Sequence, residues 1–200
     1  VTGRNDAYER AARRSDVRFI DLTDYSAFRE VGLRGLTVEG TERPGARDRN
    51  GARNALFADL LVTTGLRLEE ASHLLAVEIP VGEVRSERQQ RVELPAALTK
   101  GDRGRSMLLP RRLLPVFDAY IDVERAAAVA KFAQRRGWEA IDRPIFIHSP
   151  SFGQRALPLV GGGTMDMEVV TPDERARLVI CADDGTPREA AVLWLTEVGH

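Results

Sequence analysis

The chain has 200 residues, enough for one domain or for one domain and a linker. Hydrophobic residues make up 43% and aromatic residues 6%, which excludes wholesale disorder and predicts a core built mostly from Leu, Val, Ala and Ile. The 29 basic and 30 acidic residues give a formal net charge of −1, so the overall charge neither supports nor excludes a nucleic-acid partner.

The first quarter of the chain has the composition of a linker. Its first residues are highly charged, and residues 32–54 are rich in Gly, Arg and Asp, as loops are. Between these two stretches, Thr23 or Asp24 is a candidate N-cap of a short helix. We therefore expect residues 1–50 to form a linker that leads into a main domain at residues 51–200.

Two helices separated by a glycine are predicted next. Residues 55–62 form a helix-length apolar segment, which Thr63, Thr64 and Gly65 terminate. The second helix is predicted from Arg67 to about residue 76, with Leu and Ala side chains on one face. This arrangement places Arg67 in the first turn of a helix.

A β-hairpin and a long helix follow. Residues 91–98 and 105–109 are predicted strands, and residues 100–104 between them contain two Gly and an Asp, which is the composition of a hairpin turn. The long helix is predicted over residues 111–136, and Gly137 would end it.

The last quarter of the chain mixes short strands with turn residues. Residues 144–148 and 177–181 are predicted strands, and the Ser, Pro and Gly residues of 149–172 indicate an insertion or irregular strands. Residues 183–185 are predicted to form a turn. A final helix is expected to begin near Pro187, because proline suits the first turn of a helix.

Together these elements predict an α+β fold, mainly helical, with a small antiparallel β-sheet. The single cysteine, Cys181, excludes an internal disulfide and lies in an apolar run, so we expect a buried structural thiol. A lone thiol suits a reducing cytoplasm, and no apolar run approaches the roughly 18 residues of a membrane span. The sequence therefore predicts a cytoplasmic protein with no membrane partner.

The segment TTGLRLEEA, residues 63–71, has the features of a phosphate site. An Arg at a helix N-terminus adds a bidentate donor to free backbone N–H groups, and both favour the oxygens of a phosphodiester. Glu70 lies three residues after Arg67 on the same helical face, where it can orient the Arg67 side chain. The segment resembles the first catalytic box, T-G-L-R-x-x-E, of tyrosine recombinases, the phage-integrase family. The simpler interpretation is a helix with an exposed Glu–Arg pair.

The hairpin segment LTKGDRGRSMLLP, residues 98–110, resembles the β-hairpin of the same family, which carries a catalytic lysine at its turn. Lys100 is one of only two lysines in a chain that otherwise uses arginine. An ammonium on a flexible stem can protonate a departing 5′ oxygen, although a solvated hairpin tip is the ordinary place for a lysine. Arg103 and Arg105 from the same segment are candidate DNA contacts.

The resemblance is strongest from Asn54 to Tyr120 and implies site-specific DNA recombination. In that reaction a tyrosine attacks a DNA phosphodiester, leaves a 3′-phosphotyrosyl link and a free 5′ hydroxyl, and religation follows without a metal or other cofactor. The resemblance implies that Arg67 stabilises charge at phosphorus, that Lys100 is the general acid, and that Glu70 supports Arg67. It also implies a double-stranded DNA partner and, for the full-length protein, a homotetramer on DNA.

The chain departs from the family pattern in its second half, because no His-x-x-Arg box is present. None of its three histidines has an Arg three residues later: His73, His148 and His200. The tyrosines all lie far from the position of the family's nucleophile: Tyr8, Tyr25 and Tyr120. We therefore expect an incomplete catalytic domain without a nucleophile, inactive in strand cleavage by itself. Two alternatives stay open, a non-enzymatic DNA-binding remnant of an integrase and a helical scaffold with no DNA role.

Overall fold

The computed structural model of the chain describes residues 20–43, 50–80, 88–101 and 103–196. The charged first residues with Tyr8, and His200 at the other end, lie outside these ranges. The α-helices are α1 (Leu22–Ala27), α2 (Gly51–Thr64), α3 (Leu68–Ser72), α4 (Leu114–Ala119), α5 (Ala126–Gln134) and α6 (Pro172–Arg177). The strands are β1 (Gln89–Leu94), β2 (Arg105–Pro110), β3 (Ile145–His148), β4 (Ala156–Pro158), β5 (Thr164–Asp166), β6 (Leu178–Cys181) and β7 (Pro187–Ala190).

Helix α1 confirms the predicted short helix but has a different cap. Asp21, not Thr23 or Asp24, is the N-cap, and its carboxylate accepts a hydrogen bond from the Asp24 N–H at 2.8 Å. A π-helical stretch, Phe28–Leu33, continues α1 into the segment that was predicted as a loop.

Helix α2 begins and ends at glycines for two different reasons. A Cβ at Gly51 would lie 2.9 Å from the carbonyl oxygen of Arg34, so only glycine allows that close approach. Gly65 ends the helix in the left-handed conformation, φ 66°, and its N–H donates to the Leu61 carbonyl. The predicted end of the helix is confirmed. The helix begins at Gly51, within the segment 32–54 that was predicted as a loop.

Helix α3 is much shorter than predicted, because the residues after it pair with a distant part of the chain. The predicted helix extends to about residue 76, whereas α3 ends at Ser72. The Ala76 N–H donates to the Ala191 carbonyl at 3.0 Å, and the Leu74 carbonyl accepts from the Leu193 N–H at 2.8 Å. These long-range bonds take the place of helical ones.

The predicted β-hairpin is confirmed as the antiparallel pair of β1 and β2. The register pairs Gln89 with Pro110 and Leu94 with Arg105. Strand β1 alternates exposed and buried residues, which places one face on the core. It ends at Leu94 rather than residue 98, because Pro95 precedes a 3₁₀ turn, Ala96–Leu98.

The long helix after the hairpin is confirmed as one helical stretch with an irregular middle. A 3₁₀ turn, Arg111–Leu113, leads into α4, and a π-helical stretch, Tyr120–Arg125, joins α4 to α5. Helix α5 ends at Gln134, close to the predicted stop. A 3₁₀ turn, Gly137–Ala140, follows, with Gly137 packed tightly against the ring of Phe132.

The prediction of a final helix that begins near Pro187 is wrong, because Pro187–Ala190 form strand β7. The predicted turn at residues 183–185 is confirmed, and the Ala182 N–H donates to the Thr186 carbonyl across it at 2.9 Å. The turn folds β7 back antiparallel to β6, with Val179 paired to Ala190, so these residues are extended rather than helical.

Among the described residues, the strands form three small sheets rather than the predicted single antiparallel one. Strand β6 lies between β3, which is parallel to it, and β7, which is antiparallel. Strands β4 and β5 form a separate antiparallel pair within the segment predicted to be irregular. The fold is thus mixed α and β with small sheets, as expected in its broad class, and the parallel pair of β3 and β6 is the departure from an antiparallel sheet.

In the part of the chain that the structure describes, buried side chains form three apolar clusters. The largest joins α2, the β1–β2 hairpin and α4, and a second lies on the β3–β6–β7 sheet. The third joins α5 to β7. Cys181 is 1% exposed, which confirms the predicted buried thiol, and burial raises the pKa of that thiol. Within the described ranges, no helix has both the length and the apolar character needed to cross a lipid bilayer.

Candidate functional site: a cationic cleft between helix α3 and the hairpin tip

Arg67 lies where the turn after α2 meets α3. Gly65 reverses the chain at the end of α2, and Arg67 is the N-cap of α3 with an extended backbone. Its side chain is 59% exposed and extends into solvent. The backbone N–H of Arg67, which was expected to be free for an anion, instead donates to the Glu70 carboxylate at 2.8 Å. That backbone N–H is therefore not available to an anion, and Arg67 offers its guanidinium instead.

Glu70 is a buried carboxylate that holds two arginines. It is 1% exposed, and its Oε1 accepts from Arg67 Nη1 at 3.1 Å while its Oε2 accepts from Arg105 Nη2 at 2.6 Å. Burial by itself raises the pKa of Glu70, but the hydrogen bonds from Arg105 and Arg67 outweigh it and hold the pKa below its ordinary value. Each guanidinium gives Glu70 only part of its five N–H donors, so each keeps donors for a ligand.

The hairpin tip carries Lys100. Thr99 is 6% exposed, and its hydroxyl lies 2.5 Å from the Arg103 carbonyl oxygen and 3.1 Å from the Ala96 carbonyl oxygen. Gly101 has φ 85°, the left-handed conformation that lets the chain reverse directly after Lys100. The side chains of Lys100 and Arg103 are exposed.

These two elements enclose one open cleft with a volume of about 520 Å³. Its lining residues come from the turn before α3 and from the hairpin: Gly65, Arg67, Thr99, Lys100, Arg103, Gly104 and Arg105. All four basic residues singled out in the sequence therefore line the same cleft, with Glu70 behind it. Several cations converging on one water-accessible cleft suit a ligand that carries phosphate oxygens.

None of the described tyrosines lines this cleft. The Tyr25 hydroxyl donates to Asp59 at 2.8 Å, and burial together with that bond raises the pKa of Tyr25. The Tyr120 hydroxyl is buried, donates to the Leu193 carbonyl and accepts from the Leu195 N–H, each at 3.1 Å. Burial raises the pKa of Tyr120 despite the bond from Leu195. Both phenols therefore have structural roles.

The described histidines also lie outside the cleft lining. His73 is half-buried at the end of α3, where its Nδ1 lies 2.8 Å from the Glu69 carbonyl oxygen. His148 is the last residue of β3. Among the described residues, no group of three or more His, Cys, Asp or Glu side chains is arranged to hold a metal ion.

Sequence reasoning missed three side chains that support the cleft. Trp194 packs on Phe117 and donates from Nε1 to the Ala71 carbonyl of α3 at 2.8 Å. Arg175, 0% exposed, donates to the His73 carbonyl at the end of α3. The Glu168 carboxylate accepts from the Ala96 N–H of the hairpin loop at 3.2 Å. The sequence feature that could have located Arg175 is the Thr-Pro-Asp-Glu pattern at residues 171–174, which is typical of a helix start and predicts α6.

Comparison with known proteins gives no relative. No protein-family model, no curated protein and no solved structure matches the chain.

Proposed function

We propose that this chain is part of the catalytic domain of a tyrosine-type site-specific DNA recombinase, and that the cationic cleft binds a backbone phosphate of duplex DNA. One observation carries the proposal. Arg67 and Lys100 come from two separate sequence motifs and line the same cleft. Two cationic side chains on one water-accessible cleft suit a phosphate ligand, which supports the proposal.

In the proposed reaction the cleft residues have distinct tasks. Arg67 donates to the non-bridging oxygens of the scissile phosphate and stabilises the charge that develops at phosphorus. Lys100 protonates the departing 5′ oxygen. Arg103 and Arg105 bind the adjacent backbone. Strand cleavage further needs a tyrosine nucleophile, which none of the described residues supplies at the cleft, so the cleft provides binding, charge stabilisation and a proton.

The remaining expectations from the family resemblance belong to the same proposal. The partner is double-stranded DNA, and the full-length protein assembles as a homotetramer on it. In this proposal the reaction uses no metal or other cofactor, and the protein is located in the cytoplasm.

Duplex binding by this chain provides the first test. Fluorescence anisotropy between about 50 and 200 mM salt measures the slope of log K against log[salt]. The steepness of this slope decreases by about one for each phosphate contact removed. We expect Arg67→Ala and Arg103→Ala each to reduce the slope by about one. Arg188→Ala, which removes an exposed arginine of β7 that does not line the cleft, serves as the matched control and should leave the slope unchanged.

Cleavage by the protein from the complete reading frame provides the second test. A covalent protein–DNA adduct that is lost in both Arg67→Ala and Lys100→Ala supports the recombinase. Normal adduct formation by either variant contradicts the assigned roles. Duplex binding without any adduct supports the alternative of a non-enzymatic DNA-binding remnant. No binding even at low salt supports the alternative of a helical scaffold with no DNA role.

A further inference from the structure

The position of Lys100 depends on the loop that carries it. That loop consists of Pro95, the 3₁₀ turn Ala96–Leu98 and the tip. The buried hydroxyl of Thr99 ties the tip to the turn, since it contacts both the Arg103 and the Ala96 carbonyl oxygens. Any group that fixes the 3₁₀ turn therefore also fixes the base of the Lys100 side chain.

Glu168, far away in sequence, binds this 3₁₀ turn. Its Oε2 accepts from the Ala96 N–H at 3.2 Å, and its backbone carbonyl accepts from the Ala97 N–H at 3.2 Å. The first N–H groups of a helical turn have no acceptor inside the turn, so Glu168 acts as an external cap. A Cβ built on Gly104 would lie 3.6 Å from the same Oε2, so the carboxylate lies beside both ends of the loop.

Glu168 is itself held in place by its neighbours. Met167 is 6% exposed and Val170 is 1% exposed, and both belong to the apolar cluster on the β3–β6–β7 sheet. The Glu168 N–H donates to the Asp166 carboxylate at 3.0 Å. The half-buried Glu168 thus connects the hairpin loop to a part of the fold that the hairpin itself does not form.

We propose that Glu168 is a positioning residue, which holds the hairpin loop so that the Lys100 ammonium reaches the leaving oxygen of the scissile phosphodiester. This inference rests on the proposed function. In the step concerned, the tyrosine oxygen bonds to phosphorus and loses its proton to solvent. The bond from phosphorus to the 5′ oxygen breaks with its electron pair on oxygen, and a proton moves from Lys100 Nζ to that oxygen.

The experiment compares two duplex substrates with the protein from the complete reading frame. One has the natural phosphodiester, and the other has sulfur in place of the bridging 5′ oxygen, whose thiolate leaves without protonation. We expect Lys100→Ala to slow cleavage of the oxygen substrate about 100-fold or more and Glu168→Ala to slow it about tenfold. Both variants should cleave the sulfur substrate within about twofold of the wild type, because that substrate needs no general acid.

Two further variants separate positioning from folding. Glu168→Gln keeps an oxygen acceptor for the Ala96 N–H and should cleave the oxygen substrate within about threefold of the wild type. Glu139→Ala, which removes an exposed carboxylate in the 3₁₀ turn after α5, should cleave both substrates normally. Equal slowing of both substrates by Glu168→Ala, or no slowing of either, would overturn the role of Glu168.

Failure of the proposed function gives a different pattern. If the wild type cleaves neither substrate, the proposed function is overturned and the role of Glu168 with it. If the sulfur substrate rescues Lys100→Ala but not Glu168→Ala, only the role of Glu168 is overturned. Amide hydrogen exchange provides a readout without cleavage. Glu168→Ala should speed exchange at Ala96 and leave the Val92 amide of β1 unchanged, and unchanged exchange at Ala96 would also overturn the inference.

Discussion

Replacing Glu70 by Gln removes the charge that links α3 to the β1–β2 hairpin. Glu70 is 1% exposed and accepts hydrogen bonds from the Arg67 N–H, from Arg67 Nη1 and from Arg105 Nη2. Glutamine has nearly the same size and keeps one acceptor oxygen, so part of this bonding survives. Its NH₂ group, however, faces a guanidinium, and two donors cannot bond to each other.

The expected loss of stability follows from the exposure of the two arginines. A hydrogen bond to a charged group contributes about 1.5–3 kcal/mol, and breaking a fully buried ion pair costs about 3–5 kcal/mol. Here the Arg67 side chain is 59% exposed and the Arg105 side chain is 37% exposed, so water solvates both after the substitution. We therefore expect the free energy of unfolding to fall by about 2 kcal/mol, below the range for a fully buried pair.

Urea unfolding followed by circular dichroism at pH 7 measures this loss. The matched control is Glu139→Gln, because the Glu139 side chain is 56% exposed and pairs with Arg136 on the surface. The control should change the free energy of unfolding by less than about 0.5 kcal/mol. An equally small change for Glu70→Gln would refute the reasoning that this carboxylate holds the cleft together.

The same pair of proteins tests the sign of the pH dependence. Hydrogen bonds from Arg105 and Arg67 outweigh burial and lower the pKa of Glu70 in the folded protein. The stabilisation is therefore fully present above the unfolded pKa of about 4.3 and is lost as the pH falls through the folded pKa. We expect the difference between wild type and Glu70→Gln to shrink as the pH falls below about 4.3, and a difference that grows toward acid would contradict this sign.

Two further predictions concern the packing around the cleft and the long helix. Gly137→Ala adds a Cβ that overlaps the fully buried ring of Phe132, so we expect the free energy of unfolding in urea to fall by about 1–3 kcal/mol; an unchanged value would contradict the tight packing. Arg175→Met leaves the Glu78 carboxylate, whose side chain is 9% exposed, without the cation that donates to both its oxygens. We expect a loss of about 3 kcal/mol in the same assay, the low end of the range for a buried pair. The double variant Arg175→Met with Glu78→Gln should regain part of the lost stability, because it removes the unpaired carboxylate charge. A double variant less stable than Arg175→Met would show that an unpaired charge is not the cause of the loss.

The cleft shows how far local sequence signals extend. Gly65 predicts the end of α2, and the Gly-rich turn after Lys100 predicts the hairpin, because each signal depends on a few neighbouring residues. The end of α2 and the pairing of two strands around Lys100 are confirmed, although β1 ends at Leu94 rather than at residue 98. The partner of Arg105 could not be predicted, since Glu70 lies on a different element and nothing in its local sequence distinguishes a buried carboxylate from an exposed one.

The errors at the other elements have the same cause. Proline at residue 187 suits the first turn of a helix, yet β7 forms there because the turn before it aligns its backbone with β6. Helix α3 stops at Ser72 because the following residues bond to residues 191–193. In both places long-range backbone pairing, which leaves few buried N–H and C=O groups without partners, prevails over a weak local preference.

The sequence alone therefore determined the elements that depend on glycines and hydrophobic periodicity, and it singled out the basic residues of the cleft. Only the tertiary structure decided that Glu70 is the buried partner of two arginines and that Glu168 caps the loop of Lys100. The physical reason is range. Turn and cap preferences act over a few residues, whereas a buried ion pair or a capping contact between distant segments exists only after the core has brought those segments together.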